Sequence, residues 1–305
     1  MKKFNLVFVA FALVFVLAAC SLENGSLSNN GDKATSKDTL TIGLSISTLN
    51  NPFFVALNEG AKAKATELGA KLTVADAQDN ASKQTSDVED LIQQGVDLLL
   101  INPVDSSAVA SAVEAANAAG IPVITVDRTS EGGEVVSHIA SDNVAGGVLA
   151  GEYLMELVGK GAKIVELEGV AGSSAARDRG EGFNNAIDGQ LNVVAKQTAN
   201  FNRAEGLTVM ENILQANPTI VGVFAHNDEM ALGAVEAIAA SGKDIKVIGF
   251  DATDDAQAAV KAGMMAATVA QKPDEIGFKA IETAIQYLKG ETVEASIPVE
   301  LELIK

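Results

Sequence analysis

Cysteine is nearly missing from this sequence: Cys20 is the only one in 305 residues. A lone thiol rules out an internal disulfide framework and a cysteine metal cluster. Tryptophan is absent, and tyrosine and histidine occur twice each. Histidine is the usual general base and metal ligand, so with only His138 and His226 neither a catalytic role nor a bound metal or cofactor is expected. Ser173 and Ser174, in "AGSSAARDRG", lack the G-x-S-x-G elbow of a hydrolase nucleophile. No apolar run is followed by G-x-G-x-x-G or G-x-x-x-x-G-K-[ST], which removes the usual warrant for dinucleotides and nucleoside triphosphates. Positive charge is scarce too: 22 Lys and Arg face 40 Asp and Glu, a net charge of −18. Nucleic-acid binding needs a basic surface, so that class is excluded. The acidic clusters at 87–90 and 251–255 lack the glycine and ligand spacing of a calcium loop and read as helix starts, where carboxylates complement the macrodipole.

The one long hydrophobic run lies at the start. Met1-Lys2-Lys3 precedes an apolar stretch from Phe4 to Leu17, which ends in Leu17-Ala18-Ala19-Cys20. That run is short for a membrane span and suits a signal peptide over residues 1–19. The small residues before Cys20 resemble the lipobox of bacterial lipoproteins, which implies cleavage before Cys20 and its lipidation. Residues 20–38, the cysteine followed by "SLENGSLSNNGDKATSKD", read as a flexible tether. Lipid, tether and soluble body describe a protein held at the outer face of a cell membrane, with a Gram-positive-type surface favoured.

From Thr39 short runs rich in Val, Ile and Leu alternate with Ala-rich stretches at helical spacing. The strands expected are "TLTIGLSI", "KLTVADA", "DLLLINP", "IPVITVD", "KIVELEG", "NVVAKQT", "IVGVFAHN", "IKVIGFD" and "MAATVAQ"; helices are expected over 105–119, 144–158, 203–216 and 228–240. Repeated β-α alternation with continuously apolar strands means parallel sheets covered on both faces. The strands are too many for one small sheet, so the fold expected is α/β in two similar lobes.

Each strand ends in polar groups: Asn51, Asn102, Asp127 with Arg128, Asn227, Phe250 with Asp251, and Gln271. Ligands of open α/β sheets sit at these carboxyl ends. Of eleven phenylalanines, Phe4, Phe8, Phe11 and Phe15 fall in the leader, leaving seven. Phe53, Phe54 and Phe250 stand at or just beyond strand ends, and Phe201 lies in the loop-like "ANFNRAEG". Arginine occurs only at 128, 177, 179 and 203. Amides, carboxylates and an arginine bracket hydroxyls, and aromatic faces accept C–H faces, so a sugar is the ligand class these residues suit. The bland readings stand beside this one: Asn51, before Pro52, and Asn227 are also good helix N-caps. Asn102 precedes Pro103 in a turn, and Phe183, Phe224 and Phe278 read as core.

"STLNNPFFVAL", "INPVDSSAV", "IPVITVDR", "GEVVSHIASDNVAGG", "GSSAARDRGEGF", "FAHNDEMALGA", "VIGFDAT" and "ATVAQKPDEIG" together resemble the type I periplasmic sugar-binding family, from Thr39 to the C-terminus. The resemblance implies two doubly wound parallel-sheet lobes joined by a three-segment hinge near Ser141–Asn143, Gln271–Lys272 and Glu300–Leu301. One lobe would comprise 39–141 plus 272–300, the other 142–271 plus 301–305. The family's ligand-contacting residues transfer onto Asn51, Phe53, Phe54, Asn102, Asp127, Arg128, Arg177, Phe201, Asn227, Phe250, Asp251 and Gln271. His226 and Ala252 depart from the family pattern beside that site. The implied role is a binding protein, not an enzyme, that carries D-ribose to the membrane permease of an ABC importer. The alternative is allose, another monosaccharide or a furanose-like signalling molecule. A monomer is expected, with a chemoreceptor left open as a further partner. On this reading Arg177→Ala or Asn227→Ala removes most sugar affinity without unfolding the protein. A repressor of the same two-lobe fold would need a helix-turn-helix where the leader-like sequence stands.

Overall fold

The computed structural model describes residues 39–305; the leader, the lipidation expected at Cys20 and the tether lie outside the described residues. The chain runs β1 (Thr41–Ile46), α1 (Pro52–Glu67), β2 (Lys71–Asp76), α2 (Ala81–Gln93), β3 (Leu98–Ile101), α3 (Ala110–Ala118), β4 (Val123–Val126) and β5 (Ser137–Ser141). It continues through α4 (Asn143–Val158), β6 (Lys163–Glu168), α5 (Ser174–Ile187), β7 (Asn192–Thr198), α6 (Arg203–Ala216) and β8 (Gly222–Ala225). It ends with α7 (Asp228–Ser241), β9 (Lys246–Asp251), α8 (Asp254–Lys261), β10 (Ala267–Ala270), α9 (Pro273–Leu288), β11 (Ser296–Val299) and β12 (Glu302–Ile304). Among the described residues no helix is long and apolar enough to cross a membrane.

Among the described residues two six-stranded sheets result, in the orders β11-β5-β4-β3-β1-β2 and β12-β10-β9-β8-β6-β7. The second repeats the topology of the first, as the α/β expectation of two similar doubly wound lobes requires. The exception to parallel pairing is β12, which runs antiparallel to β10. Three strands escaped the sequence reading: β5, β11 and β12 carry polar or charged residues inside short runs ("SHIAS", "SIPV", "ELI"), so hydropathy alone does not mark them.

Both faces of each sheet are covered, which is why the strands read as unbroken apolar runs. In β3 the alternation of side chains sends Leu98 and Leu100 to a core shared with α1 and α9. Leu99 and Ile101 point the other way, towards residues of α2 and α3. The second sheet divides likewise: Val223 and Ala225 meet α6, α7 and α8. Phe224, from the same strand, packs with α4 and α5, its ring stacked on Phe183 with centroids 4.4 Å apart.

The chain passes between the sheets three times: from β5 to α4, from β10 to α9, and from β11 to β12. Lys272 in the second passage and Glu300 in the third approach to 3.6 Å. Helix boundaries follow local chemistry. Asn51 caps α1 by accepting from Phe53 N at 3.0 Å, with Pro52 in the first turn. The helix expected over 105–119 begins only at Ala110; before it, the Asp105 carboxylate caps a turn by accepting from the amides of Ser107 and Ala108.

Candidate functional site

In each lobe the strand order reverses beside the first strand, between β1 and β3 in one sheet and between β6 and β8 in the other. A crevice forms at such a switch point, outside the strands' carboxyl ends, and here the two crevices face each other. Between them lies a narrow cavity of about 10 Å³, lined by Asn51, Phe53, Phe54, Asp127 and Arg128 from one lobe and Ala175, Arg179, Phe201, Asn227 and Asp251 from the other.

Neither ring of the Phe53–Phe54 pair faces water. Both are buried in the first turn of α1, packed edge to face at 5.2 Å. Phe201 closes the cavity from the other lobe, its ring against the backbone of Gly169, where a Cβ would clash with it. Two buried arginines lie against these aromatic faces. The Arg128 guanidinium stands 5.0 Å from the Phe54 ring and 5.3 Å from Phe201; that of Arg179 stands 3.9 Å from Phe250. Such cation–π contacts strengthen when desolvated.

Hydrogen bonds hold the polar groups in place. Asn102 accepts from Ser47 N at 3.1 Å and donates to Val126 O at 3.1 Å and to the Asp127 carboxylate at 3.4 Å. Arg128 donates to Pro103 O at 3.0 Å. Arg179 donates through Nε to Asn143 Oδ1 at 2.8 Å and through Nη1 to His226 O at 2.6 Å, with Asp251 Oδ1 at 3.9 Å. Gln271 donates to Asp251 Oδ1 at 2.8 Å. Asp127 Oδ1, Arg128 Nε and Gln271 Oε1 are buried with no hydrogen-bond partner, although Arg128 Nε lies 3.5 Å from Asp127 Oδ2. A buried polar atom left unpaired costs about 1–3 kcal/mol, and of these three the Asp127 and Arg128 atoms belong to residues that line the cavity.

The backbone is strained at the same place. Asp127, Phe201, Asp251 and Ala252 have φ of 63°, 57°, 127° and 56°, in regions that non-glycine residues adopt at a cost of about 1–3 kcal/mol each. Electrostatics adds to this. Burial pushes the Asp251 carboxyl up to about 7, although Arg179 and Gln271 pull it down. Burial also lowers the Arg128 and Arg179 guanidinium groups, against the pull of the neighbouring aspartates.

Eight of the twelve residues read from the sequence line this cavity. Asn102 and Gln271 stand one hydrogen bond behind it, on Asp127 and Asp251, and Phe250 stands behind Arg179. Arg177 is a correction. Its side chain is 45% exposed and pairs with Glu131 of the other lobe at 2.7 Å, while Arg179 lines the cavity with a side chain only 4% exposed. Residues two apart on a helix point about 200° from each other, so only one of the two arginines can face inward. The signal was present: Arg179 shares a helical stripe with Ala175, Ala176, Gly180 and Phe183, all buried. Around Arg177 the lobes touch directly, through Ser106 N to Gly172 O at 2.9 Å and Thr129 N to Ser174 Oγ at 2.9 Å.

A closed cleft between twin lobes, with carboxylates, amides and arginines set among aromatic faces, defines a solute-binding protein of the two-lobe type. The chain belongs to the periplasmic binding protein family, whose domain pattern matches residues 42–292. It is 55% identical over 303 residues to the ribose import binding protein RbsB of Bacillus subtilis (strain 168), covering 99% of each chain. It is also 55% identical over 273 residues to the RbsB of Escherichia coli (strain K12), covering 89% of this chain and 92% of that one. A crystal structure of an ABC transporter solute binding protein from Mycobacterium smegmatis with bound glycerol superposes with a TM-score of 0.84 at 40% identity, covering 88% of this chain and 94% of that one.

Proposed function

We propose that this chain is the extracytoplasmic solute receptor of an ABC importer, that it captures D-ribose between its lobes, and that it releases the sugar unchanged to the permease. The observation that carries the reading is the cavity's double wall: five lining residues come from each lobe, and both walls pair carboxylate and guanidinium with an aromatic face. A pentose offers hydroxyls that donate to Asp127 and Asp251 and accept from Arg128, Arg179 and Asn227. Its C–H faces suit Phe53, Phe54 and Phe201. The relatives that share 55% identity over almost the whole chain are named for ribose import.

The proposed working cycle is one of opening and closing about the cleft. A sugar that touches both walls stabilises the closed arrangement and not the open one, so it shifts the balance by its differential affinity and no further. The three crossover segments act as the hinge, and Gln271, inside one of them, ties the hinge to Asp251. Each charge-assisted hydrogen bond contributes about 1.5–3 kcal/mol. Four of them contribute about 6–12 kcal/mol, and stacking on the aromatic rings adds to this, against the roughly 8 kcal/mol of micromolar binding. The closed protein, a monomer, then presents both lobes together to the permease. Cys20 carries the lipid that keeps the receptor at the membrane.

Titration calorimetry against D-ribose, D-allose, D-galactose and L-arabinose tests the ligand, with the sugar recovered and checked by NMR. Micromolar or tighter D-ribose binding, with the sugar unaltered, is the expected result. Tighter binding of another sugar, or its conversion, overturns the reading. Cys20→Ala in the producing cell should shed the protein from the membrane fraction; retention there refutes the anchor.

A further inference from the structure

We infer that Asp228, which lies outside the cavity wall, is the positioning residue that holds Asp251 in its strained, ligand-facing conformation. Asp228 opens α7 directly after Asn227 and is fully buried. Its carboxylate grips the turn after β9 from two sides. Oδ2 accepts from Thr253 N at 2.8 Å and from Thr253 Oγ1 at 3.3 Å. Oδ1 accepts from Thr268 Oγ1 at 2.7 Å, and Thr268 Oγ1 accepts from Ala252 N at 3.1 Å. The amides of the two residues that follow Asp251 therefore end, directly or through one hydroxyl, on this one side chain.

Those amides need such a partner because Asp251 and Ala252 occupy φ values of 127° and 56°, a conformation that persists only where surrounding contacts over-determine it. The neighbourhood is shaped for the carboxylate. Gly249, paired with Thr268 across β9 and β10, leaves the space that Asp228 Oδ1 fills, and a Cβ there would clash with that oxygen. Burial and the nearby Asp251 charge push the Asp228 carboxyl well above the usual carboxylate range. Because Asn227 caps the same helix by accepting from Met230 N at 3.0 Å, one helix start places both Asn227 and, through Asp228, Asp251.

The inference rests on the sugar-binding reading, and its test separates the two. Thr268→Val keeps the side-chain shape and removes the relay hydroxyl; Thr268→Ser restores it; Gly249→Ala displaces the Asp228 carboxylate without deleting any polar group. Thr268→Val and Gly249→Ala should each weaken D-ribose binding about tenfold or more with thermal unfolding still cooperative, and Thr268→Ser should recover most of the loss. In an Asp251→Asn background Thr268→Val should cost little further affinity, whereas a general loss of stability would act equally in both backgrounds. Amide hydrogen exchange over residues 251–253, which needs no ligand, should accelerate in Thr268→Val. Unchanged exchange there, or the same affinity loss with and without Asp251, overturns the positioning role. Absence of D-ribose binding by the wild type refutes the sugar reading alone, because the exchange measurement still decides whether Asp228 holds the turn.

Discussion

Arg177 and Arg179 differ by two positions in the chain and should differ by one to two orders of magnitude in what they do for the ligand. Arg179 is buried, donates to Asn143 Oδ1 and His226 O, and lies 3.9 Å from Asp251. Replacing it by alanine strands two acceptors and leaves a buried carboxylate without its cation, a loss of about 3–5 kcal/mol in stability. Arg179→Lys is the cleaner perturbation: it keeps the charge and loses the planar fork that serves several acceptors at once. Losing one or two charge-assisted bonds to the sugar, about 3 kcal/mol, weakens binding roughly a hundredfold. Arg177→Ala removes an ion pair whose partners are 45% and 48% exposed. Exposed pairs contribute about 0.2–1 kcal/mol, so the loss should not exceed about fivefold, and it should shrink further as salt is raised. Titration calorimetry with D-ribose at low and high salt, beside thermal unfolding followed by circular dichroism, measures both. Equal losses for Arg177→Ala and Arg179→Lys would refute the reasoning.

Asn227→Asp keeps an acceptor for the Met230 amide but loses the amide donor and buries a further carboxyl close to Asp228 and Asp251, so affinity should fall at least tenfold and the melting temperature should fall with it; unchanged binding is the contrary outcome. Gly169→Ala drives a Cβ into the Phe201 ring, and since overpacking costs about 1–3 kcal/mol both stability and affinity should drop, which a melt and a titration read together. His226 sits buried with Nε2 2.9 Å from Glu166 Oε1, and burial lowers its pKa below 6.5 despite the Glu166 carboxylate. The unfolded chain therefore takes up a proton below about pH 6.5 that the folded chain refuses, and this group's share of stability is lost as pH falls. His226→Gln removes that share, so its melting temperature should rise relative to the wild type between pH 7.5 and pH 5. A difference that stays flat across that range would count against it.

The continuous apolar strands and the polar residues that end them made the two-lobe α/β fold and most of the proposed site readable in the sequence. "LLLI" announces a strand covered on both faces, and Asn102 follows at its carboxyl end. Less legible was anything that depends on which side of a helix faces inward. Arg177 and Arg179 sit in one motif, and only the burial of the α5 stripe tells them apart. Asp228 was invisible for a different reason. As an acidic residue at a helix start it has an ordinary local explanation in the macrodipole, and its long-range bonds to Thr253 and Thr268 leave no periodic trace. Late edge strands such as β11 and β12 were missed because pairing in the finished sheet, not their own hydropathy, holds them there.

The last crossing of the chain also sets when each lobe can be finished. Only Glu300 and Leu301 separate β11 from β12, yet these strands close opposite sheets, and α9 packs on α1 from more than two hundred residues away. Neither half can complete its sheet until nearly the whole polypeptide has emerged, so both lobes reach the native state late and almost together. Contacts of such long range slow folding, and a truncation of the final ten residues would damage both halves in a single cut. Two separate sheets are thus made dependent on one short segment for their assembly.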